Sequence, residues 1–285
     1  MLILAKKSVD PALNKRVSIV EKVEVPGGKE RKQFMAKLPS LKDLMKAGVH
    51  FGHQKSKWHP KMKPFIFVEK NGIHIINLEE TQKAIGNALE FLTETVSRGG
   101  TVLFVGTKRQ SQELVKDAAL ACNMPYVTTR WLGGTLTNEV SVLGLVRKYR
   151  KLKEEKASGK LDKYTKKEQL SISREITRLE ESVGGMERLE RIPSAIFIAD
   201  IRHDKTAVKE ATIKKVPIIA ICDTNTNPEL VEYPIPGNDD ATKSIKFMVG
   251  VISDAVKAAQ VQPEEAKTEK KIEVKKEVKK TEDKK

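Results

Sequence analysis

Short, mostly apolar segments that alternate with amphipathic stretches constrain this chain more than any other feature. The segments are Ile73–Ile76, Thr101–Val105, Ala195–Ala199 and Pro217–Cys222. Strands that are apolar on both faces belong to parallel sheets covered by helices on both sides. The pattern therefore predicts an α/β fold with a doubly wound, mostly parallel sheet.

Polar residues at capping spacing predict where the helices begin. Ser40 with Asp43, Asn77 with Glu80, and Thr107 with Gln110 have the spacing of helix N-terminal caps. The predicted helices end near Gly48, Arg98 and Cys122, a further helix covers residues 204–215, and Asp239 or Asp240 begins a last helix that reaches about Gln260.

Residues 138–186 interrupt this alternation of predicted strands and helices. Two apolar seams with helical spacing flank a loop at Ser158-Gly159, and Thr165 with Glu168 forms a capping box before the second seam. The seams are Val142, Leu145, Tyr149 and Leu152, then Ile172, Ile176, Leu179, Val183 and Met186. They predict an inserted antiparallel helical hairpin that projects as a coiled-coil arm, and core helices packed on the sheet are the alternative.

Composition divides the chain into four parts. Residues 1–38 hold scattered valines among prolines and glycines, which predicts a basic N-terminal extension that is ordered only on a partner. Residues 39–137 and 187–262 form the α/β core domain, and 138–186 are the hairpin insertion. Residues 263–285 alternate Lys and Glu with few apolar side chains, so we expect a flexible, disordered tail.

The charge of the chain predicts a polyanionic partner. Lys and Arg number 53 against 38 acidic residues, and the net charge is +15. The excess is uneven, because residues 40–70 alone carry seven lysines, whereas residues 184–262 contain ten cations and eleven acids. The second half of the core is therefore expected to add no cationic surface.

The segment His50–Pro64 has the highest density of side chains that could bind a ligand. It combines three histidines, four lysines and two aromatic residues without a helical or strand period. Lysines neutralise phosphates, and Trp and His stack on unpaired bases, so the mixture suits irregular RNA. A metal ion held by His50, His53 and His59 is a weaker alternative, because no cysteine accompanies them.

Two further segments place cations beside glycines. Lys108 and Arg109 follow the Gly106 turn at a predicted helix start, where an RNA or nucleotide phosphate can bind. The spacing matches neither a Walker A loop nor a dinucleotide-binding motif. Arg130 and Trp131 precede a Gly-Gly pair, and they indicate either an RNA contact or a buried Trp at the entry to the insertion.

An enzyme is the competing hypothesis. Asp200, His203, Asp204 and Asp223 lie at predicted strand ends, where α/β enzymes place catalytic groups. They would serve a nucleotide- or sugar-phosphate-binding enzyme, but no nucleophile motif accompanies them. A free-standing RNA chaperone or scaffold that uses the hairpin to bind another protein is a third possibility. We predict no catalytic residue, no metal and no cofactor.

Two features of the sequence indicate the cellular compartment. No apolar run approaches the roughly 18 residues of a membrane span, and the two cysteines, Cys122 and Cys222, form no disulfide framework. We expect a cytoplasmic protein without a membrane partner.

Seven motifs in order resemble the bacterial ribosomal protein S2 family of the small subunit, over roughly residues 40–262. They are Ala47–His53, Lys61–Pro64, Ile73–Glu79, Leu103–Arg109, Arg130–Asn138, Cys222–Asn225 and Ile235–Asp240. The resemblance implies a Rossmann- or flavodoxin-like domain with a projecting helical hairpin and no catalysis. It also implies contacts with small-subunit rRNA and with ribosomal proteins, including the large mRNA-binding protein S1.

By position in this resemblance, the candidate rRNA-binding residues are basic and aromatic residues of the Lys46–Lys63 stretch, Lys108 with Arg109, and Arg130 with Trp131. They are Lys46, His50, His53, Lys55, Lys57, Trp58, Lys61, Lys63, Lys108, Arg109, Arg130 and Trp131.

Overall fold

The computed structural model describes residues 38–260. The predicted N-terminal extension, apart from Leu38, and the predicted Lys/Glu tail lie outside the described residues. The helices are α1 (Leu41–Ala47), α2 (Leu78–Ser97), α3 (Gln112–Ala121), α4 (Glu139–Ala157), α5 (Lys166–Val183), α6 (Lys205–Lys214) and α7 (242–260).

Five strands form the main sheet, and all of them run parallel. They are β4 (Val102–Val105), β5 (Tyr126–Val127), β6 (Ala195–Ile198), β7 (Ile218–Cys222) and β8 (Tyr233–Pro236). Their order in the sheet is β5-β4-β6-β7-β8. This is the strand order of flavodoxin-like sheets, and it confirms the predicted doubly wound α/β fold.

The two faces of the sheet are covered by different helices. Phe104 and Phe197 point into an apolar cluster with residues of α2, α3 and α7, whereas Leu103 and Ile196 point into a second cluster with residues of α4, α5 and α6. Successive strand residues alternate between the two clusters because side chains alternate across a strand. The unbroken apolar strands are thus explained by burial on both faces.

A separate three-stranded antiparallel sheet lies outside this pattern. Its strands are β1 (Phe51–Gln54), β2 (Ile66–Lys70) and β3 (Ile73–Ile76), in the order β1-β3-β2. The prediction of a strand at Ile73–Ile76 is confirmed, but this strand does not join the parallel sheet. The turn at Asn71-Gly72, with φ of 53° and 75°, connects β2 to β3 directly and so pairs them as a hairpin.

Most of the predicted helix starts are confirmed. Ser40, Asn77 and Thr165 accept a backbone N–H at the starts of α1, α2 and α5, and Thr165 with Glu168 forms a complete capping box. The start predicted at Thr107 is wrong. The helix begins at Gln112, because the hydroxyl and the N–H of Thr107 both donate to Asp204 instead.

Helices α4 and α5 pack against each other. A connection of eight residues joins them, and the side chains of Lys148 and Glu175 form an ion pair between their middle turns. Val142 and Tyr149 of α4 and Ile176 of α5 are buried in the cluster that also covers the sheet. The base of the helix pair is therefore continuous with the core, while its projection as an arm stays a prediction.

None of the helices within residues 38–260 is both long enough and apolar enough to cross a membrane.

Candidate nucleic-acid interface

The lysine-rich segment 50–64 is fixed to the loop that follows β7. The backbone N–H of His53 donates to the Thr224 hydroxyl at 2.8 Å, and the N–H of His59 donates to the Thr224 carbonyl at 2.7 Å. Two 3-10 turns, Lys55–Lys57 and Pro60–Phe65, complete the segment after β1. A stretch without a sequence period is thus held in one conformation by contacts 165 and more residues away along the chain.

Gly52 allows this close approach. A Cβ atom built on Gly52 lies 2.6 Å from Cγ2 and 2.8 Å from Oγ1 of Thr224. Any larger residue would push β1 away from the loop after β7. The glycine is therefore required by contact with a neighbouring segment.

The four predicted lysines of this segment are exposed and fall into two pairs. Lys55 lies 2.8 Å from a carboxylate oxygen of Glu69, and Lys61 lies 2.7 Å from one of Glu229. Among the described residues, no carboxylate lies within 4.0 Å of the ammonium groups of Lys57 and Lys63. Lys46, in the last turn of α1, is exposed and equally free of an ion pair within residues 38–260.

The rings of this segment are half-buried. Trp58 packs against His74 with 5.4 Å between ring centroids, and His50 packs against Phe51 at 4.1 Å. Burial lowers the pKa of His50 below its ordinary value, so this imidazole is neutral at physiological pH. His74 is buried, whereas His50 and Trp58 are partly exposed and Phe51 is exposed, so these three rings remain accessible for stacking.

His53 faces acidic groups. Its Nδ1 lies 3.1 Å from Asp223 and its Nε2 lies 3.2 Å from Asp240. The hydrogen bond to Asp223 raises the pKa of His53, and this effect outweighs the burial that lowers it. His53 therefore links β1 to the carboxyl end of the parallel sheet as a protonatable cross-bridge.

Lys108 is enclosed by three carboxylates at the same edge. Its ammonium group lies 3.0 Å from Asp200, 3.1 Å from Asp239 and 2.7 Å from Asp240. Burial alone would lower the pKa of Lys108, but these carboxylates outweigh it and hold the pKa above its usual range. The sequence predicts a phosphate at this turn, whereas in the structure the ammonium group is already neutralised.

The four residues predicted at strand ends lie after β6 and β7, and each of them binds other groups of this chain. Asp200 follows β6 and Asp223 follows β7, while His203 Nδ1 lies 2.7 Å from the Thr107 hydroxyl. Burial and the neighbouring Asp200 and Asp223 raise the pKa of Asp239 to about 7. The crevice where flavodoxin-like sheets bind ligands is filled by the chain's own charged side chains.

One group of side chains within residues 38–260 has the spacing of a metal site. Ligand atoms of His53, Asp223 and Asp239 all lie within 4.8 Å of one another. Imidazole and carboxylate groups of this kind bind Zn²⁺ and similar ions. The trio of His50, His53 and His59 considered above does not form such a group, because His59 Nδ1 accepts from the Lys61 N–H and His53 turns to Asp223.

Arg130 and Trp131 separate in the structure. Arg130 is exposed, whereas Trp131 is buried and donates from Nε1 to Glu210 at 3.1 Å. The interpretation of a buried Trp at the entry to the insertion fits this placement. Arg109 is exposed, like Arg130, and neither has a carboxylate within 4.0 Å among the described residues.

Sequence reasoning missed Glu210. Its buried carboxylate accepts from the N–H groups of Gly134, Leu136 and Thr137 as well as from Trp131. Although burial alone raises the pKa of Glu210, these donors outweigh it and keep the pKa below its ordinary value. The signal available in the sequence was a lone acid between Lys209 and Ala211 on the apolar side of a helix.

Comparison with known proteins places these features in a class. A family model described as Ribosomal protein S2 matches residues 44–259. The small ribosomal subunit protein uS2 of Opitutus terrae is 46% identical over 215 residues, which cover 75% of this chain and 71% of that protein. Those of Shewanella halifaxensis and Hahella chejuensis are each 45% identical and cover 78% and 76% of this chain, and 92% and 85% of their own lengths.

The matched proteins are thus ribosomal proteins of the small subunit. The chain belongs to the ribosomal protein S2 family.

Proposed function

We propose that this protein is a structural component of the small ribosomal subunit that binds small-subunit rRNA. Membership of the ribosomal protein S2 family carries this proposal, and the family is structural and not enzymatic. The protein would act at the ribosome in the cytoplasm.

The free cations support a role in phosphate binding. Lys46, Lys57, Lys63, Arg109 and Arg130 are exposed, and within residues 38–260 none has a carboxylate within 4.0 Å. A cation that is not already paired gains the most from releasing counterions from an RNA backbone. Lys55 and Lys61 would have to exchange an ion pair for a phosphate, and we expect smaller contributions from them.

The rings of His50 and Trp58 would contribute shape and stacking next to these cations, whereas His53, which is bound to Asp223 and Asp240, would act by holding β1 in place. RNA-binding proteins use such side chains on unpaired bases, whereas double-helical RNA is recognised mainly through its shape and backbone. Lys108 and Trp131 would act indirectly, since the first holds the carboxyl edge of the sheet and the second holds the loop that carries Arg130.

We also propose contacts with other small-subunit proteins, including the large mRNA-binding protein S1. The outer face of the small sheet supports a protein contact. Phe67 is 74% exposed, and Phe51, Val68 and Ile73 on the three strands of this sheet are exposed as well. Exposed apolar groups of this kind mark interaction surfaces.

Copurification of S1 with small subunits tests this contact. Replacing Phe67 with Ser should reduce the amount of S1 recovered with purified subunits. Replacing Leu120 with Ser, at an exposed position on α3, is the control and should leave the amount of S1 unchanged.

Sedimentation of a tagged copy in a cell lysate tests the main proposal. We expect the protein to migrate with the small-subunit peak at low salt and to leave it as the salt concentration rises. Absence from that peak at low salt would contradict the assignment.

A further inference from the structure

The outer surface of α6 is cationic, although residues 184–262, which include α6, contain ten cations and eleven acids. Five cations in and around α6 are exposed, namely Arg202, Lys205, Lys209, Lys214 and Lys215. The three acids of residues 200–215 are Asp200, Asp204 and Glu210, and all of them are buried. The cations of residues 200–215 therefore lie at the surface, whereas the acids lie in the interior.

Each buried acid is committed to an internal partner. Asp200 pairs with Lys108 and accepts the N–H groups of Arg202 and His203. Asp204 accepts from the hydroxyl and the N–H of Thr107, and Glu210 accepts from the loop that begins at Trp131. Acidic side chains are also buried in the rest of residues 184–262. Five of the eleven acids of this range are buried, namely Asp200, Asp204, Glu210, Asp223 and Asp239.

The exposed cations of α6 have no internal partners. Within residues 38–260, no carboxylate oxygen lies within 4.0 Å of their charged nitrogens. Lys205 and Lys209 are four residues apart, so they lie on one side of α6 about 6 Å apart along its axis. Like charges at this spacing destabilise a helix. A polyanion bound along the helix would turn that repulsion into attraction.

The internal hydrogen bonds also connect α6 with two of the predicted RNA-binding arginines. The bonds from Thr107 to Asp204 bring the turn that carries Arg109 to the start of α6. The bonds from Gly134 and Leu136 to Glu210 bring the loop that begins at Arg130 against the middle of α6. The same buried carboxylates that leave α6 cationic thus place Arg109 and Arg130 beside it.

We propose that this α6 surface, formed by Arg202, Lys205, Lys209, Lys214 and Lys215, binds the phosphate backbone of rRNA. The inference deepens the proposed function, because it rests on the RNA of the small subunit as the ligand. A polyanion fits better than a protein partner, because Ile213 is the one large apolar side chain exposed on α6 and protein interfaces have an apolar core.

Charge removal with a matched control tests the proposal. The α6 variant is Arg202→Gln with Lys205→Gln and Lys209→Gln. The control is Lys116→Gln with Lys243→Gln and Lys246→Gln, which removes the same charge from exposed helix positions on α3 and α7, across the sheet from α6. Binding to small subunits depleted of this protein is measured over a series of salt concentrations.

We expect the plot of log affinity against log salt concentration to become less steep by about two to three units in the α6 variant. The control should lose less than about one unit. Equal changes in both variants would show that net charge and not position matters, and would overturn the proposal.

A second experiment locates the RNA without removing several charges. Cys122 and Cys222 are buried, so a cysteine introduced by Lys209→Cys is the exposed thiol to which an iron chelate can be attached. Radicals produced there should cleave rRNA in the assembled subunit. The same probe at Lys246→Cys, on the opposite face of the sheet, should give weaker cleavage or cleavage at other nucleotides.

The outcomes separate the two proposals. Failure of the wild-type protein to bind depleted subunits would contradict the proposed function. Binding that is unchanged in the α6 variant, with no cleavage from position 209, would overturn the α6 surface alone. Weaker binding of the α6 variant without any cleavage from position 209 would assign the surface to an acidic protein and would also overturn the RNA proposal.

Discussion

The ammonium group of Lys108 lies 3.0 Å from the carboxylate of Asp200, across the carboxyl ends of β4 and β6. These two strands are neighbours at the point where the strand order reverses, which is the ligand-binding position of flavodoxin-like sheets. An internal ion pair takes the place of a ligand there. The edge therefore serves to join segments of the chain, including β1 through His53.

Replacing Lys108 with Met should destabilise the protein by about 3 to 5 kcal/mol, because it leaves Asp200 and Asp239 buried without their cation. The free energy of unfolding in urea measures the loss. Lys116→Met, at an exposed position on α3, is the control and should change stability by less than about 0.5 kcal/mol. Adding Asp239→Asn to Lys108→Met should restore part of the loss, and a double variant as unstable as the single one would contradict this explanation.

The cost of replacing His53 with Gln should depend on pH. The pKa of His53 is raised in the folded protein, so its stabilising effect is complete below the unfolded pKa of about 6.5 and is lost as the pH rises through the folded value. We expect a cost of about 1.5 to 3 kcal/mol at pH 5.5 and a smaller cost at pH 8.5. Unfolding of both proteins at the two pH values provides the comparison, and a cost independent of pH would refute the charged cross-bridge.

The lysines of segment 50–64 should contribute unequally to subunit binding. Lys57→Gln with Lys63→Gln removes two unpaired cations and should reduce the salt dependence of binding by about two units. Lys55→Gln with Lys61→Gln removes the same charge from lysines already paired with Glu69 and Glu229, and we expect a smaller reduction. Affinities for depleted subunits over a salt series measure both, and equal effects would mean that the internal ion pairs do not persist in solution.

Glu210→Gln should destabilise the protein although it preserves the size of the side chain. The amide has one acceptor oxygen in place of two, and its NH₂ group would face the N–H groups that the carboxylate accepts. We expect a loss of about 2 to 4 kcal/mol in the free energy of unfolding. Glu229→Gln, at an exposed ion pair with Lys61, should cost no more than about 1 kcal/mol. Comparable losses in the two variants would rule out the role assigned to the buried carboxylate.

The parallel sheet was predictable because each of its long strands is apolar in sequence. Phe197 and Ile196 are both fully buried, so neither position tolerates a polar residue. Strand β1 was not predictable, since Phe51–Gln54 includes Gly and His and is fixed by Thr224, far away in the chain. Local patterns do not report such distant pairings.

The charged residues show the same limit. Lys57 and Lys108 are equivalent in a count of cations, yet one is exposed and the other lies among three aspartates. In α4 the predicted seam contained Leu145, which is 40% exposed, whereas Val146 is buried in its place. Successive side chains on a helix point in directions about 100° apart. Tertiary packing decides which of the two neighbouring residues is buried.

The position of the α4–α5 insertion has a consequence for the order of events during synthesis. Strand β6 lies between β4 and β7 in the sheet, but the chain reaches Ala195 only after both inserted helices. A nascent chain that ends at the insertion can pair β4 with β5 alone, and one long edge of β4 stays open. His53 and Lys108 find Asp223 and Asp239 later still, so the lysine-rich segment is fixed in place only after residue 239 has been synthesised.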